Sequence, residues 1–363
     1  MSDNTVLTEV RGQLGVITLN RPSALNALSL SMIRQITAAL QRWRHDDQVS
    51  AVLLRGAGRE GKAPAFCAGG DIRFFHQAAL AGDPTLEDFF TEEYSLNHLI
   101  HTYGKATIAL MDGITMGGGM GLAQGCRLRV ATEHSKLAMP ETHIGLFPDV
   151  GGGWFLGRCP GRVGEYLALT GQALGAADAI AVGLADVFMP SAELPVLAEA
   201  LADQPLDNSE QALAVVRARS QAVGDAPLTP HRAEIDRHFA AASMADIAAS
   251  LAADGNPWAA DTLKALRQRS PLMMAVTLEQ VRRARAMSLA DELRMERGLV
   301  RRCFHLRPGA ASETVEGIRA LAVDKDHQPR WQPATIDEVT PALVDPFFES
   351  PWPAHAHPLR GLA

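Results

Sequence analysis

KATIALMDGITMGGGMGLAQGCRLRVATEHSKLAMPETHIGLFPDVGGG, from Lys105 to Gly153, is the stretch around which the chain is organised. Thr107 to Met111 and Leu128 to Ala131 read as strands. Between them, Gly117-Gly118-Gly119 makes a turn that opens a short helix to Gln124. Two carboxylates, Glu141 and Asp149, follow in apolar or Gly/Pro surroundings. The order strand, turn, helix also occurs upstream, where Ala51 to Leu54 runs through the Gly-rich loop RGAGREGKAPAFCAGGDIRFF into a helix near Asp71. The expected fold is α/β, a spiral of successive β-β-α turns, although no sequence repeat marks it.

Working outward, Val6 to Val10 and Gly15 to Leu19 are two more strand candidates, and Ser29 can cap a helix whose Ile33, Ile36, Leu40 and Trp43 follow a three-four spacing. A helix over about 86–101 carries Leu86, Phe89, Leu96 and Ile100 on one face, and Glu93 completes that stripe. A carboxylate on a buried face is costly unless something pairs with it or uses it, so Glu93 is either bent to solvent, paired with a base such as Lys105, or functional. Beyond Gly153 the chain turns helical: Arg162 to Thr170 closes on Gly171, Ala176 to Val182 closes on Gly183, and Leu184 to Met189 is a last strand. Pro190 to about Asn208 reads as a boundary. Residues 1–190 then form the core, 191–322 a helical C-terminal region, and 323–363 a wrapped Pro-rich tail with little regular structure of its own.

A chain of 363 residues can bury a sizeable core, and its net charge of −7 gives no basic footprint for DNA or RNA. No run of eighteen apolar residues predicts a membrane span. Cys67, Cys126, Cys159 and Cys303 stand far apart, which fits neither a disulfide framework nor a zinc site. Reduced thiols and no evident signal or transit peptide give the expectation of a cytoplasmic protein.

The Gly-rich turns and the carboxylates are the parts of an acyl-transfer site. Attack on a thioester carbonyl, or proton removal beside it, puts negative charge on the oxygen, and two fixed backbone N–H donors can meet it. Gly117-Gly118-Gly119 supplies donors at a helix start, and Ala68-Gly69-Gly70 is a second small-residue turn; either alone is equally readable as a tight turn. Glu141 can act as base, nucleophile or hydroxyl anchor. Asp149 can do the same or cap the helix that contains Trp154 and Phe155. His143 is set aside as a lone loop histidine.

Three motifs, LNRPSALNAL (19–28), FCAGGDI (66–72) and ITMGGGMGLA (114–123), resemble the crotonase (enoyl-CoA hydratase/isomerase) superfamily. Four more, MPETHIGLFPDVGGGWFLGR (139–158), YLALTG (166–171), SPLMMAVTLEQ (270–280) and EGIRALAVDKDHQPRWQP (316–333), are similar to its 3-hydroxyisobutyryl-CoA hydrolase branch. The resemblance implies a crotonase-type spiral core, an acyl-CoA substrate with CoA held near Ala24 and Leu25, and oxyanion donors from Ala68 and Gly118. It implies that Glu93, Gly118, Glu141 and Asp149, with Gly70 and Asp71, border the acyl group, and that Glu141 and Asp149 are catalytic. The implied reaction releases CoA from a short β-hydroxyacyl thioester, 3-hydroxyisobutyryl-CoA of valine breakdown, without metal or added cofactor. Hydratases of the superfamily use two glutamates; Gly121 matches the first and Glu141 the second, which favours hydrolysis. The alternatives are an enoyl-CoA hydratase or isomerase and a CoA-binding protein without turnover. A homo-oligomer is compatible with the resemblance. Two departures stand out: His143, expected to narrow the acyl pocket, and Thr314-Val315, expected to touch only a distal segment.

Overall fold

A computed structural model describes residues 4–58, 61–206 and 208–363; Arg59 and Glu60 of the Gly-rich loop and Asp207 of the boundary stretch lie outside them. The chain divides into two compact units, each discontinuous in sequence. The first comprises the chain up to Gly70, Ser95–Ala138 and Ala173–Thr229; the second comprises Asp71–Tyr94, Met139–Gln172 and Pro230–Ala363. These units cut across the contiguous segments expected from sequence, because insertions between strands of the first unit belong to the second.

Among the described residues the first unit holds nine strands: β1 (Val6–Arg11), β2 (Leu14–Leu19), β3 (Ala51–Gly56), β4 (Ala65–Cys67), β5 (Ala106–Met111), β6 (Ile114–Met116), β7 (Leu128–Ala131), β8 (Lys136–Ala138) and β9 (Val187–Phe188). Six form one sheet in the order β1-β2-β3-β5-β7-β9, and three form another in the order β4-β6-β8. Between these strands every pairing except the antiparallel β1–β2 hairpin is parallel. Each turn of the spiral thus gives one strand to each sheet: β3 and β4, then β5 and β6, then β7 and β8. The small sheet was not separately legible, because strands of three residues are too short to show a period.

Strands β2 and β5 are buried along their whole length, as near-continuous apolar runs in a covered parallel sheet should be. Helix Leu30–Arg44 starts where Ser29 accepts a hydrogen bond from the Met32 N–H and buries Ile33, Ile36, Leu40 and Trp43 as the spacing predicts. A Cβ on Gly15 would come within 2.7 Å of the Trp43 ring, so the indole lies directly on the strand. The stretch read as a boundary contains a helix, Leu194–Asp203, whose Leu197 and Leu201 join Val16, Leu53, Ile108 and Val130 in the main core. Burying each such leucine contributes about 1.5–3 kcal/mol, enough to draw the segment into the unit.

In the second unit the region expected to be helical holds helices Arg232–Phe239, Met244–Asp254, Pro257–Leu266, Pro271–Ala284 and Leu289–His305. Asn256, Ser270 and Ser288 cap the last three of these through their side chains. Glu313–Ile318 is a further helix of this region, and Pro341–Phe348 is a helix within the tail, which thus has more regular structure than its proline content suggested. Pro341 sits in the first turn, where its missing N–H costs nothing.

Candidate active site

Helix Thr85–His101 carries Glu93 and Tyr94, both buried. Glu141 opens the short helical turn Glu141–Ile144, and Asp149 lies in the irregular backbone before helix Gly152–Gly157. Both carboxylates are buried. The Glu141 turn is fixed from outside by two backbone contacts. Ser270 N–H donates to the Thr142 carbonyl at 3.2 Å, and Thr314 Oγ1 donates to the Gly145 carbonyl at 2.6 Å. Thr314 is therefore no distal residue: it holds the end of the turn that carries Glu141.

Three carboxyl groups thus lie within reach of one another's charge, with no guanidinium or ammonium beside them among the described residues. Burial, then the charges of Asp149 and Glu141, raise Glu93 well above the usual carboxylate range. Burial and the neighbouring Asp149 raise Glu141 likewise. Burial also raises Asp149, but only to about 6, because the Tyr94 hydroxyl donates to its Oδ2 at 2.8 Å and favours the charged form. Glu93 Oε1 and Glu141 Oε2 are buried without a hydrogen-bond partner among the described residues. Such a cluster titrates as a unit and cannot carry three charges near neutrality. Asp149 is the member that ionises most readily, so the cluster offers a carboxylate beside carboxylic acids.

Two alternatives left open by the sequence are thereby resolved. Lys105 donates to the Trp43 and Asp46 carbonyls, so it is not the base that neutralises Glu93. Asp149 does not cap the following helix: Gly151 occupies the cap position, and the Asp149 side chain faces Tyr94. His143 turns to Pro140, its Nδ1 lying 3.1 Å from that carbonyl, and its ring packs on Gly171. Burial and the nearby Arg269 push it down to about 4, so it is neutral.

The two small-residue turns belong to the first unit and pack on each other. A Cβ on Gly119 would lie 2.2 Å from the Cys67 carbonyl, and one on Gly69 would lie 3.3 Å from that of Met116. Gly118 is the first residue of helix Gly118–Gln124, where an N–H has no partner within the helix. The Ala68 N–H, by contrast, donates to the Leu25 carbonyl at 3.0 Å. Using it as an oxyanion donor requires that bond to be shared or broken. Leu25 and Asn26 have φ of +52° and +58°. The Asn26 amide holds this conformation by donating to the carbonyls of Ala57 and Ala65. Ala24 and Leu25 are thus tied by backbone to the Ala68 turn. Gly70 pairs with Leu28, and Asp71 caps helix Ile72–Ala81 by accepting from the Phe74 N–H, a local role visible in its position before that helix.

Sequence reading missed Tyr94, Glu292 and Glu296. The last two are fully buried on helix Leu289–His305, four residues apart in the charge-rich run LADELRMERGLVRR. Their stripe continues through Leu299 and Cys303, the same signal that exposed Glu93. Among the described residues no group of three or more His, Cys, Asp or Glu could hold a metal ion, and no helix is long and apolar enough to cross a membrane.

A family model for enoyl-CoA hydratase/isomerase matches residues 14–348. The chain belongs to the enoyl-CoA hydratase/isomerase family. Among members of this family, the 3-hydroxyisobutyryl-CoA hydrolase, mitochondrial, of Gallus gallus is 42% identical over 349 residues, 95% of this chain and 88% of that protein. Its Homo sapiens counterpart is 41% identical over 350 residues, again 95% and 88%. Two crystal structures share the fold at 39% identity. They are a carnitinyl-CoA dehydratase from Mycobacterium thermoresistibile (TM-score 0.85, 95% of this chain and 96% of that one) and an enoyl-CoA hydratase from Rhodobacter sphaeroides (0.86, 96% and 98%). The α/β spiral is therefore the crotonase fold. The cytoplasmic expectation is overturned by these hydrolases, which are named mitochondrial. Its premise was weak physically: the four cysteines are buried free thiols, and such thiols fit any reducing compartment.

Proposed function

We propose that this chain hydrolyses the thioester of a short β-hydroxyacyl-CoA, with 3-hydroxyisobutyryl-CoA as the preferred substrate. The observation that carries the reading is the buried Glu141 beside the more acidic Asp149, with Gly121 where a hydratase would keep its other glutamate. Addition of water across a double bond uses a base and an acid on separate atoms of the alkene, and the loss of one carboxylate removes half of that pair. Thioester cleavage needs only one nucleophile or base, an oxyanion site and a proton for the leaving sulfur.

Two carboxyl groups that hold one proton between them supply both a base and an acid. In one version, the shared proton passes from Glu141 to Asp149, the ionised Glu141 attacks the carbonyl carbon, the C–S bond breaks as Asp149 gives that proton to the CoA sulfur, and water opens the resulting anhydride. In the other, Glu141 takes a proton from water as the water attacks. Both give the free hydroxy acid and CoA. Asp149 accepts a hydrogen bond from the substrate's 3-hydroxyl, and Glu93 is a third acid beside the pair. The reaction calls for the Gly118 N–H, and that of Ala68 once released from Leu25, on the carbonyl oxygen. No cofactor beyond the CoA of the substrate is needed, since backbone donors polarise the carbonyl. The names of the vertebrate relatives support the choice of acyl group.

The two 39%-identical structures, named a carnitinyl-CoA dehydratase and an enoyl-CoA hydratase, favour a second reading, hydration or dehydration of an enoyl-CoA. Thiol release and enoyl absorbance measured together on 3-hydroxyisobutyryl-, 3-hydroxypropionyl-, 3-hydroxybutyryl- and crotonyl-CoA separate the two. Thiol release with the hydroxyacyl thioesters is expected. Loss of enoyl absorbance from crotonyl-CoA without thiol release would establish the rival, and tight binding with neither signal would make the protein a CoA binder.

A further inference from the structure

The backbone around Asp149 is strained. Val150 has φ +58°, a conformation that a β-branched residue adopts only when its surroundings impose it, and Gly151 follows at φ +87°. The contacts that impose it converge on one side chain from helix Leu289–His305. Glu296 Oε2 accepts from the Gly151 N–H at 2.8 Å, and its Oε1 accepts from the Gly153 N–H at 3.2 Å. Gln280 Nε2 donates to Glu296 Oε1 at 2.9 Å and to the Pro148 carbonyl at 2.7 Å. The residues before and after Asp149 are therefore pinned to one buried carboxylate and its amide brace.

For a merely structural cap this is a poor solution. Helix Gly152–Gly157 has only six residues, and the Glu296 carboxyl, which has no exposed surface and which burial and the adjacent Glu292 raise well above the usual carboxylate range, is costly to bury for a cap alone. A second acid, Glu292, lies alongside with neither carboxyl oxygen hydrogen-bonded among the described residues; its Oε1 stands 2.5 Å from where a Cβ on Gly153 would sit. Both acids therefore lie against the backbone of Gly153.

We propose that Glu296, braced by Gln280, is a positioning residue for Asp149: it holds the strained Pro148–Gly153 turn in the conformation that presents the Asp149 carboxylate to the substrate's 3-hydroxyl. The proposal rests on the reading of Asp149 given above, and the test separates the two. kcat/KM is measured for 3-hydroxyisobutyryl-CoA and for isobutyryl-CoA with Asp149→Asn, Glu296→Gln and the double variant. Asp149→Asn alone tests the hydroxyl role, and an unchanged preference between the two thioesters ends that reading and the positioning proposal with it.

If Asp149→Asn lowers the preference, Glu296→Gln should lower it too, by about tenfold, and should change it less than about twofold once Asp149 is already Asn, the non-additivity expected of residues acting through one another. Equal losses for both thioesters, or effects that multiply in the double variant, would show a structural role only and overturn the positioning while leaving the Asp149 reading intact. Should Glu296→Gln not fold, Gln280→Leu removes the brace from Pro148 and gives the same pair of outcomes.

Discussion

Tyr94 donates its hydroxyl hydrogen to Asp149 Oδ2 at 2.8 Å with both groups buried. In an apolar setting this bond separates Asp149 from its neighbours: burial raises all three carboxyl groups, and the Tyr94 hydroxyl draws Asp149 back to about 6. Tyr94→Phe keeps the ring packed against Phe90 and removes only the donor. The Asp149 pKa should rise, since the bond that favoured its charged form is gone. The acid limb of the pH–rate profile for kcat/KM should move to higher pH, with a loss at pH 6 that shrinks by pH 8. A limb that stays in place would mean that Asp149 does not have to be ionised for turnover.

Glu141 is predicted to be indispensable and its removal harmless to the fold. Glu141→Gln retains the shape of the side chain but neither attacks a carbonyl nor takes a proton. CoA release should fall by about 100-fold or more, the low end of what a positioned acid–base group contributes. Thermal unfolding should be unchanged or shifted upward, because the amide carries no charge to desolvate. Turnover near that of the parent protein would remove Glu141 from the mechanism.

The buried acids also set how stability depends on pH. Burial raises Glu292 from its ordinary 4.5 to about 7, and Asp149 from 3.8 to about 6. A group with a raised folded-state pKa holds its proton in the folded chain where the unfolded chain has released it. Its stabilising contribution is therefore fully present below about pH 4.5 and is lost as pH rises through about 7. Glu292→Gln should flatten this decline, by about 3 kcal/mol at most, a ceiling set by the size of the shift in a fully buried group. Urea unfolding at pH 5 and pH 8 measures it. A decline of the same steepness in Glu292→Gln would assign the titration to another acid.

Much of the spiral was legible because buried parallel strands are apolar along their whole length and the helices between them keep a three-four stripe. Glu93 was legible for the same reason: a carboxylate broke the stripe of its helix. Glu292 and Glu296 escaped because their stripe crosses a run so rich in Arg and Glu that it resembles a solvated face. Tyr94 escaped because an aromatic beside Phe89 and Phe90 reads as core, which it also is. The Ala68 N–H bond to the Leu25 carbonyl could not be read at all, since it joins two segments over forty residues apart and depends on left-handed backbone at Leu25 and Asn26. Helix Leu194–Asp203 was passed over for a different reason: it lies inside the stretch from Pro190 to about Asn208 that reads as a boundary, and Pro195 in its first turn is well tolerated there.

The packing of the two Gly-rich turns gives the last prediction. Gly119 follows the proposed donor Gly118, and its Cα faces the Cys67 carbonyl so closely that a methyl group there would lie 2.2 Å from the oxygen and 2.9 Å from the Cys67 Cβ. Cys67 in turn precedes Ala68. Gly119→Ala must therefore push the helix start away from the strand end, displacing the Gly118 N–H, the Ala68 N–H or both. Overpacking of this kind costs about 1–3 kcal/mol of stability, which a domain of this size can bear. Catalysis depends on donor placement to within tenths of an ångström, so the rate should fall much further, by about 100- to 1000-fold, as for loss of one oxyanion donor. Gly175→Ala is the matched control, because a Cβ there meets nothing within 4 Å and the backbone φ is −80°. If Gly119→Ala is folded by circular dichroism and still releases CoA as fast as Gly175→Ala, the N–H groups of these turns are not the oxyanion donors.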